Sequence, residues 1–263
     1  MSLKRVAQLI QERGVDFYPE VIGVLESDPR GGAQRLVRVC RERLAEWDRQ
    51  KELLVRHSLH EQAALASGAR FVAGVSEVGR GPIAGPVAAA AVILPPGICL
   101  PGLGEVRRLS AKRRAELATQ IRAEALAIST RLIQPEAADE GAVIRSTYQA
   151  MTEAVLGLTL APDHLLVDGL HVPLVKQAQT LVVEGEEASI SIAAAQVIAR
   201  VTRDQYMQEM DLIYPQYGFA AHKGYGTVEH REAVRRYGTC PIHRGLLDPV
   251  AWAAVANQTD ERD

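Results

Sequence analysis

The spacing of apolar residues differs between the first 69 residues and the rest of the chain. In the first part, apolar residues recur every three or four positions, which is the spacing of one face of a helix. The residues concerned are Leu3, Val6, Ile10, Leu36, Cys40, Leu44, Trp47 and Leu54. A turn-forming stretch at 27–32 separates two helical pieces, and 66–70 closes the segment. The pattern predicts a small all-helical N-terminal region over 1–69, ahead of a domain over 70–263.

From residue 71 onward, strand-like apolar runs alternate with helical patterns. The runs with the length and composition of strands cover 71–75, 87–94, 127–133, 164–169 and 180–187. The helical patterns cover about 110–125, 135–158, 189–214 and 228–237. The turn between the first two strands is rich in glycine and proline, which indicates an antiparallel hairpin. This order predicts an α/β fold with a mixed five-stranded sheet flanked by helices.

Composition narrows the class of protein. The chain has 263 residues, of which 47% are hydrophobic and 24% charged, as in a packed domain rather than a disordered segment. Its longest apolar run, 87–94, is much shorter than the roughly 20 residues of a membrane span. The three cysteines are far apart and have neither zinc spacing nor a disulfide pattern, and the N-terminus has no apolar signal core. We therefore expect a cytoplasmic protein that does not bind membranes.

Charge is balanced overall but not locally. The formal net charge is −2, so any contact with nucleic acid requires a local basic surface. Residues 30–57 contain eight lysines and arginines against four acidic residues. Such a stretch is typical of a solvated amphipathic helix, which we favour, and a helix that contacts a nucleic acid backbone is the alternative.

Three acidic residues, Glu77, Asp168 and Glu186, each follow a different predicted strand. Open α/β sheets place ligand sites beyond the carboxyl ends of their strands. Carboxylate oxygens suit Mg²⁺ or Mn²⁺, and a pair of such ions can stabilise the attacking and leaving oxygens of a phosphodiester displacement. Each acid alone is weak evidence, because solvated acids commonly follow strands. Together, beside a glycine-rich turn, they indicate a site for divalent metal ions.

Several motifs resemble those of type 2 ribonuclease H, ribonuclease HII. They are "GVSEVGRGPIAGPVAAAAVIL", "LLVDG", "SIAAAQVIARVTRD", "YPQYGFAAHKGYGTVEH" and "CPIHRG", and they occur in order between about 71 and 249. The helical segment before residue 71 resembles the extension carried by some bacterial members. The resemblance implies the ribonuclease H fold and the use of Mg²⁺ or Mn²⁺. It also implies cleavage of the RNA strand of RNA·DNA hybrids and nicking at ribonucleotides embedded in duplex DNA.

The resemblance also implies roles for individual residues. Of the family's four catalytic carboxylates, the second and third correspond to Glu77 and Asp168. The fourth, normally Asp, corresponds to Glu186, and the first, also normally Asp, corresponds to Ser76. The family's substrate-binding positions fall on Gly79, Arg80 and Gly81, which would read the ribose 2′-hydroxyl, on the basic pair Arg107 and Arg108, and on Tyr225, which would stack on the following sugar.

The serine changes the chemistry that we expect. A neutral hydroxyl is a poor ligand for Mg²⁺ beside an ionised carboxylate, so metal binding should be weak and cleavage strongly impaired. Other family positions also depart, among them Glu105, Val106 and Ala142. Two alternatives remain open: an active, divergent ribonuclease HII that uses Mn²⁺, and a non-catalytic module that binds nucleic acid or a protein partner.

Overall fold

The computed structural model describes residues 2–136 and 140–245, and its contacts divide the chain into two compact units, 1–56 and 57–263. The first unit is all helical, as predicted. Its elements are α1 (Leu3–Arg13), a 3₁₀ turn (Gly14–Phe17), α2 (Tyr18–Leu25) and α3 (Gly31–Arg56). Six of the eight side chains that recur at helical spacing meet in its core, where Val6, Ile10 and Cys40 are buried and Leu3, Leu36 and Leu44 pack against them. The apolar periodicity therefore reflects the packing of α1, α2 and α3 against one another.

Helix α4 (Leu59–Ala66) belongs by its contacts to the second unit. Ala64 packs in a cluster with Leu166 and Ile192. The Glu61 carboxylate accepts a hydrogen bond from the Ser189 hydroxyl at 2.5 Å and from the Ser191 amide at 2.9 Å. The division given by the contacts thus falls after Arg56, whereas the sequence predicts a boundary at residue 69.

The second unit is built on the predicted mixed sheet. Its strands are β1 (Val72–Val78), β2 (Val87–Ile93), β3 (Ala127–Ile133), β4 (His164–Asp168) and β5 (Ala178–Val182), in the order β3-β2-β1-β4-β5. The pairs β1–β2 and β2–β3 are antiparallel, and β1–β4 and β4–β5 are parallel. The predicted hairpin is confirmed. The carboxyl ends of β1, β4 and β5 therefore lie at one edge of the sheet.

Two strand ends differ from the prediction. Strand β1 continues to Val78, because its pairing with β2 extends to Ala88, so Ser76 and Glu77 lie within the strand rather than beyond it. Strand β5 ends at Val182 rather than at 187. The backbone of Glu184 has a left-handed φ of +50°, and the chain then forms a short helix, α7 (Gly185–Ala188).

Helices cover both faces of the sheet. The elements are a 3₁₀ turn (Leu103–Arg108), α5 (Ala111–Glu124), α6 (Glu140–Leu156), α8 (Ile190–Ile213), α9 (Phe219–His222) and α10 (Val228–Tyr237). Helix α8 packs on β1 and β2 so closely that a Cβ at Gly74 would lie 2.0 Å from the Ser191 carbonyl carbon. Helix α6 packs on the opposite face, where Met151 joins Ala73 and Val75.

The predicted helix start at 135 is only partly visible, because residues 137–139 lie outside the described ranges, as do residues 246–263 of the predicted second domain. Across the described residues, no helix combines the length and the apolar character that a membrane span requires.

Candidate active site

The three carboxylates predicted from the sequence come together at the edge of the sheet. Asp168 is the last residue of β4, and Glu186 lies in α7. The Gly185 amide donates a hydrogen bond of 3.0 Å to Asp168 Oδ1, which ties α7 to the end of β4. The Asp168 and Glu186 carboxyl groups hydrogen-bond to each other, and the charge of Glu77 reaches both of them. The fold thus assembles one acidic cluster, consisting of Glu77, Asp168 and Glu186.

The carboxyl groups of the acidic cluster do not ionise alike. Burial, the hydrogen bond with Glu186 and the nearby negative charges raise the pKa of Asp168 to about 7. Burial also raises the pKa of Glu77, against the opposing charge of Arg80, whose Nη1 lies 3.7 Å from Glu77 Oε1. Burial disfavours the charged form of Glu186 too, but hydrogen bonds with Arg107 and Asp168 outweigh it and lower its pKa. Of the three carboxyl groups, Asp168 therefore binds a proton up to a pH of about 7.

Arg107 supplies the nearest positive charge. Its Nε donates to Glu186 Oε1 at 2.7 Å, and its Nη1 lies 3.2 Å from Glu187 and 3.9 Å from Glu184. Arg108 is different: its side chain is 84% exposed and pairs with Glu105 at 3.3 Å. Of the two arginines predicted to bind substrate, the structure places Arg107 against the acidic cluster and leaves Arg108 directed towards solvent.

Ser76 lies on β1, directly before Glu77 in the chain. Val75 of β1 pairs with Val167 of β4, and one residue further along the two parallel strands come Ser76 and Asp168. Ser76 is fully buried, and its Oγ has no hydrogen-bond partner. Since buried hydroxyl groups nearly always find a partner, this one marks a position that the surroundings do not satisfy.

The chemistry of the donor set fits a divalent cation. Three carboxylates supply hard oxygen donors, the ligands that Mg²⁺ and Mn²⁺ prefer, and burial together with the neighbouring carboxyl groups raises the pKa of Asp168. In the part of the chain that the structure describes, however, no three acidic, histidine or cysteine side chains are already arranged around one ion position. Glu186 is turned to Arg107 instead.

The predicted substrate-binding residues lie beside the acidic cluster. Gly79 has φ +90°, a conformation that suits glycine, and follows β1 directly. The Tyr225 ring lies 3.8 Å from where a Cβ of Gly81 would be, and 41% of Tyr225 is exposed. The Arg80 side chain is about half exposed. The structure therefore brings the Gly79-Arg80-Gly81 turn and Tyr225 into one open surface next to Glu77.

Two residues in this region were not predicted as functional. Arg203 and Arg244 are fully buried, and their guanidinium groups donate to main-chain carbonyl groups between Gly79 and Pro86. A signal for Arg203 exists in the sequence, because it lies four residues from both Ala199 and Met207, on the buried face of α8. An arginine on the buried face of a helix predicts that hydrogen-bond acceptors are buried around its guanidinium group.

Comparison with known proteins agrees with this geometry. The family model described as Ribonuclease HII matches residues 73–250. A ribonuclease HII of Bacillus cytotoxicus is 40% identical over 249 residues, which are 95% of this chain and 95% of that protein.

Solved structures share the fold. The ribonuclease H2 of Pyrococcus horikoshii superposes with a TM-score of 0.57 at 18% identity, over 73% of this chain and 100% of that chain. Bst-RNase HIII in complex with Mn²⁺ superposes with a TM-score of 0.53 at 15% identity, over 74% of this chain and 73% of that chain. These likenesses confirm the predicted ribonuclease H fold.

The matched family model covers more than half of the chain, and the Bacillus cytotoxicus relative is similar over nearly its whole length. The motifs that carried the resemblance also contain Glu77, Asp168, the Gly79-Arg80-Gly81 turn and Tyr225. The chain belongs to the ribonuclease HII family of nucleases.

Proposed function

We propose that this protein recognises ribonucleotides in RNA·DNA hybrids or within duplex DNA, and that Ser76 strongly reduces its metal-dependent phosphodiester cleavage. One observation carries the proposal: the acidic cluster lies at the same edge of the sheet as the Gly79-Arg80-Gly81 turn and Tyr225. Membership of the ribonuclease HII family supports the substrate class.

Substrate binding and metal binding are assigned to different side chains. The glycine turn lets the backbone approach the ribose closely, where the 2′-hydroxyl distinguishes RNA from DNA, and the exposed Tyr225 ring offers a stacking surface for the next sugar. Glu77, Asp168 and Glu186 would hold the divalent cation. When bound, Mg²⁺ or Mn²⁺ supplies stabilisation of the charge that develops on the phosphate. The Mn²⁺ complex of Bst-RNase HIII supports manganese as one candidate.

Two features of the site support reduced cleavage. The uncharged Ser76 stands beside Asp168 where the family has a carboxylate, so one ligand is lost. Glu186 carries one more methylene than the family's Asp and is engaged by Arg107 at 2.7 Å. A displacement of about 1 Å can cost about a hundredfold in a positioned reaction. Both features act on the same cluster and in the same direction.

The experiment is a cleavage assay on duplex DNA that contains one ribonucleotide, run in Mg²⁺ and separately in Mn²⁺. Ser76→Asp should raise the rate by about a hundredfold or more, and Glu186→Asp should add to it non-additively, because both residues serve one cluster. Ser129→Asp is the matched control, since Ser129 is also a buried serine of the sheet whose hydroxyl lacks a partner. It should gain no activity.

The outcome separates the proposal from its alternatives. A wild-type rate typical of active family members, with little effect of Ser76→Asp, would establish an active divergent enzyme. If neither the single nor the double variant cleaves while the wild type still prefers ribonucleotide-containing duplex, the protein is a non-catalytic binder. The ion pair between Arg107 and Glu186 is the observation that favours this second candidate.

A further inference from the structure

Two arginines are the largest side chains that are fully buried in the described part of the chain. Arg203 lies on α8 and is 0% exposed. Arg244 is 1% exposed and directly follows His243, which pairs with Ala84 in an isolated β-bridge. Arginine is rarely buried so completely unless it is paired, because removing its charge from water is costly. The hydrogen-bond acceptors that compensate these two charges therefore indicate the role of Arg203 and Arg244.

All the acceptors are main-chain carbonyl groups. Arg203 donates from Nε to Pro86 at 2.9 Å, from Nη2 to Ala84 at 3.2 Å, and from Nη1 to Lys223 at 2.9 Å. Arg244 donates from Nε to Gly85 at 2.9 Å, from Nη1 to Arg80 at 2.8 Å, and from Nη2 to Gly79 at 2.5 Å. Five of the six carbonyl groups belong to residues 79–86, which we call the recognition turn. The sixth, at Lys223, lies two residues before Tyr225.

Main-chain hydrogen bonds join the same segments. The amides of Ile83 and Ala84 both donate to the Gly224 carbonyl, at 3.0 and 3.2 Å, and the Arg244 amide donates to Ile83 at 3.1 Å. A Cβ at Gly224 would lie 2.2 Å from the Ala84 carbonyl oxygen, so the two chains touch as closely as glycine allows. The recognition turn and the segment that carries Tyr225 are thus one connected structure with the two guanidinium groups at its centre.

The electrostatics show that this arrangement is costly. Burial lowers the pKa of Arg244 to about 9, and the neighbouring charge of Arg203 acts in the same direction. Two like charges are therefore buried near each other. An ammonium group could not replace them, because only the planar guanidinium presents several donors in a fixed fork.

We propose that Arg203 and Arg244 are positioning residues that hold the recognition turn and Tyr225 in the geometry that distinguishes a ribonucleotide. The inference rests on the proposed function of the turn and deepens it. All six acceptors of the two guanidinium groups are main-chain carbonyl oxygens, and none is a carboxylate of the acidic cluster. Loss of either arginine should therefore reduce selectivity for ribonucleotides and leave metal binding intact.

The experiment compares Arg203→Met and Arg244→Met with Arg131→Met. Arg131 is a matched control because it also donates to a main-chain carbonyl, that of Thr130 at 2.8 Å, but is exposed on β3. Three quantities are measured on the full chain: amide hydrogen exchange in 79–86 and 222–225, the ratio of dissociation constants for an all-DNA duplex and the same duplex with one ribonucleotide, and the Mn²⁺ affinity by calorimetry. The two buried-site variants should exchange faster in both segments and lose about tenfold in the ratio, with Mn²⁺ affinity unchanged within about twofold.

Several results would overturn the inference. A folded Arg244→Met or Arg203→Met protein that keeps its exchange rates and its selectivity would show that the arginines do not position the turn. A loss of Mn²⁺ affinity in parallel with selectivity would show general damage instead. If the methionine variants do not fold, the same measurements on Arg203→Lys and Arg244→Lys decide, because lysine keeps the charge but not the fork. If the wild type shows no preference for the ribonucleotide, the proposed function fails, while the exchange rates still test the positioning role.

Discussion

At the scale of single residues, the sequence identifies the members of the acidic cluster but not their pKa values or their ion-pair partners. Glu77, Asp168 and Glu186 could be found because each lies at or near the end of a predicted strand, and the family motifs place Ser76 among them. The raised pKa of Asp168 beside Glu186, and the engagement of Glu186 by Arg107, could not be found. These depend on distances between residues that are far apart in the chain, and only the fold sets such distances.

Ser76→Asp should make the protein depend on divalent metal for its stability. The new carboxylate would be buried beside Asp168, where unpaired negative charge is already in excess, so stability in EDTA should fall. Mn²⁺ should restore it, because a bound ion stabilises the folded state by mass action. Thermal unfolding in EDTA and in Mn²⁺ measures both effects. A melting temperature of Ser76→Asp that responds to Mn²⁺ no more than that of the wild type would contradict this expectation.

Arg107→Met should tighten the binding of divalent metal. The substitution removes the cation that pairs with Glu186, so a metal ion no longer competes with it for that carboxylate. Arg108→Met is the neighbouring control, since the exposed Arg108 contacts Glu105 rather than the acidic cluster, and it should leave the affinity within about twofold. Calorimetric titration with Mn²⁺ tests the pair. Weaker binding by Arg107→Met would mean that Arg107 supports the metal site instead of competing with it.

At the scale of elements, periodicity found every strand and the long helices, but it misplaced two strand ends. The end of β1 depends on pairing with β2 as far as Ala88, and the end of β5 depends on the left-handed backbone of Glu184. Neither is a property of the local apolar pattern. The packing of helix α4 is likewise not a local property: its sequence is helical, but its partners Leu166 and Ile192 are a hundred or more residues away.

Glu61→Ala should destabilise the protein by about 1–3 kcal/mol. The buried carboxylate of Glu61 accepts from the Ser189 hydroxyl and the Ser191 amide at the start of α8, where negative charge is also favoured by the helix dipole. Glu61→Gln keeps an acceptor and should lose less. Gln62→Ala, on the exposed side of the same helix, is the control. Urea unfolding gives the three values, and an equal loss for Glu61→Ala and Gln62→Ala would show that the contact with α8 contributes nothing.

At the scale of the whole molecule, two titratable side chains, His230 and Asp168, give stability opposite dependences on pH. His230 is fully buried, and burial lowers its pKa from an ordinary 6.5 to about 4. Between these values the unfolded chain binds a proton that the folded protein does not, so stability should fall by about 3 kcal/mol as the pH decreases from 6.5 to 4. His230→Gln should weaken this dependence, and burial of His243, which lowers the pKa of that side chain as well, should leave a smaller dependence of the same sign. Urea unfolding at several pH values tests it, and an unchanged slope in the variant would contradict the assignment.

Asp168 acts in the opposite direction over nearly the same interval. Its pKa is about 7 in the folded protein and near 3.8 when unfolded, so between these values the folded state holds the extra proton and stability falls as the pH rises. Asp168→Asn removes this term, and its stability relative to the wild type should therefore increase steadily from pH 4 to pH 7. In the wild type, saturating Mn²⁺ should replace the proton on Asp168 and so remove this pH dependence of the stability. In Asp168→Asn, Mn²⁺ should not change the pH dependence of the stability. A constant difference between the two proteins across this range would show that Asp168 ionises normally, and the acidic cluster would then need no cation to balance it.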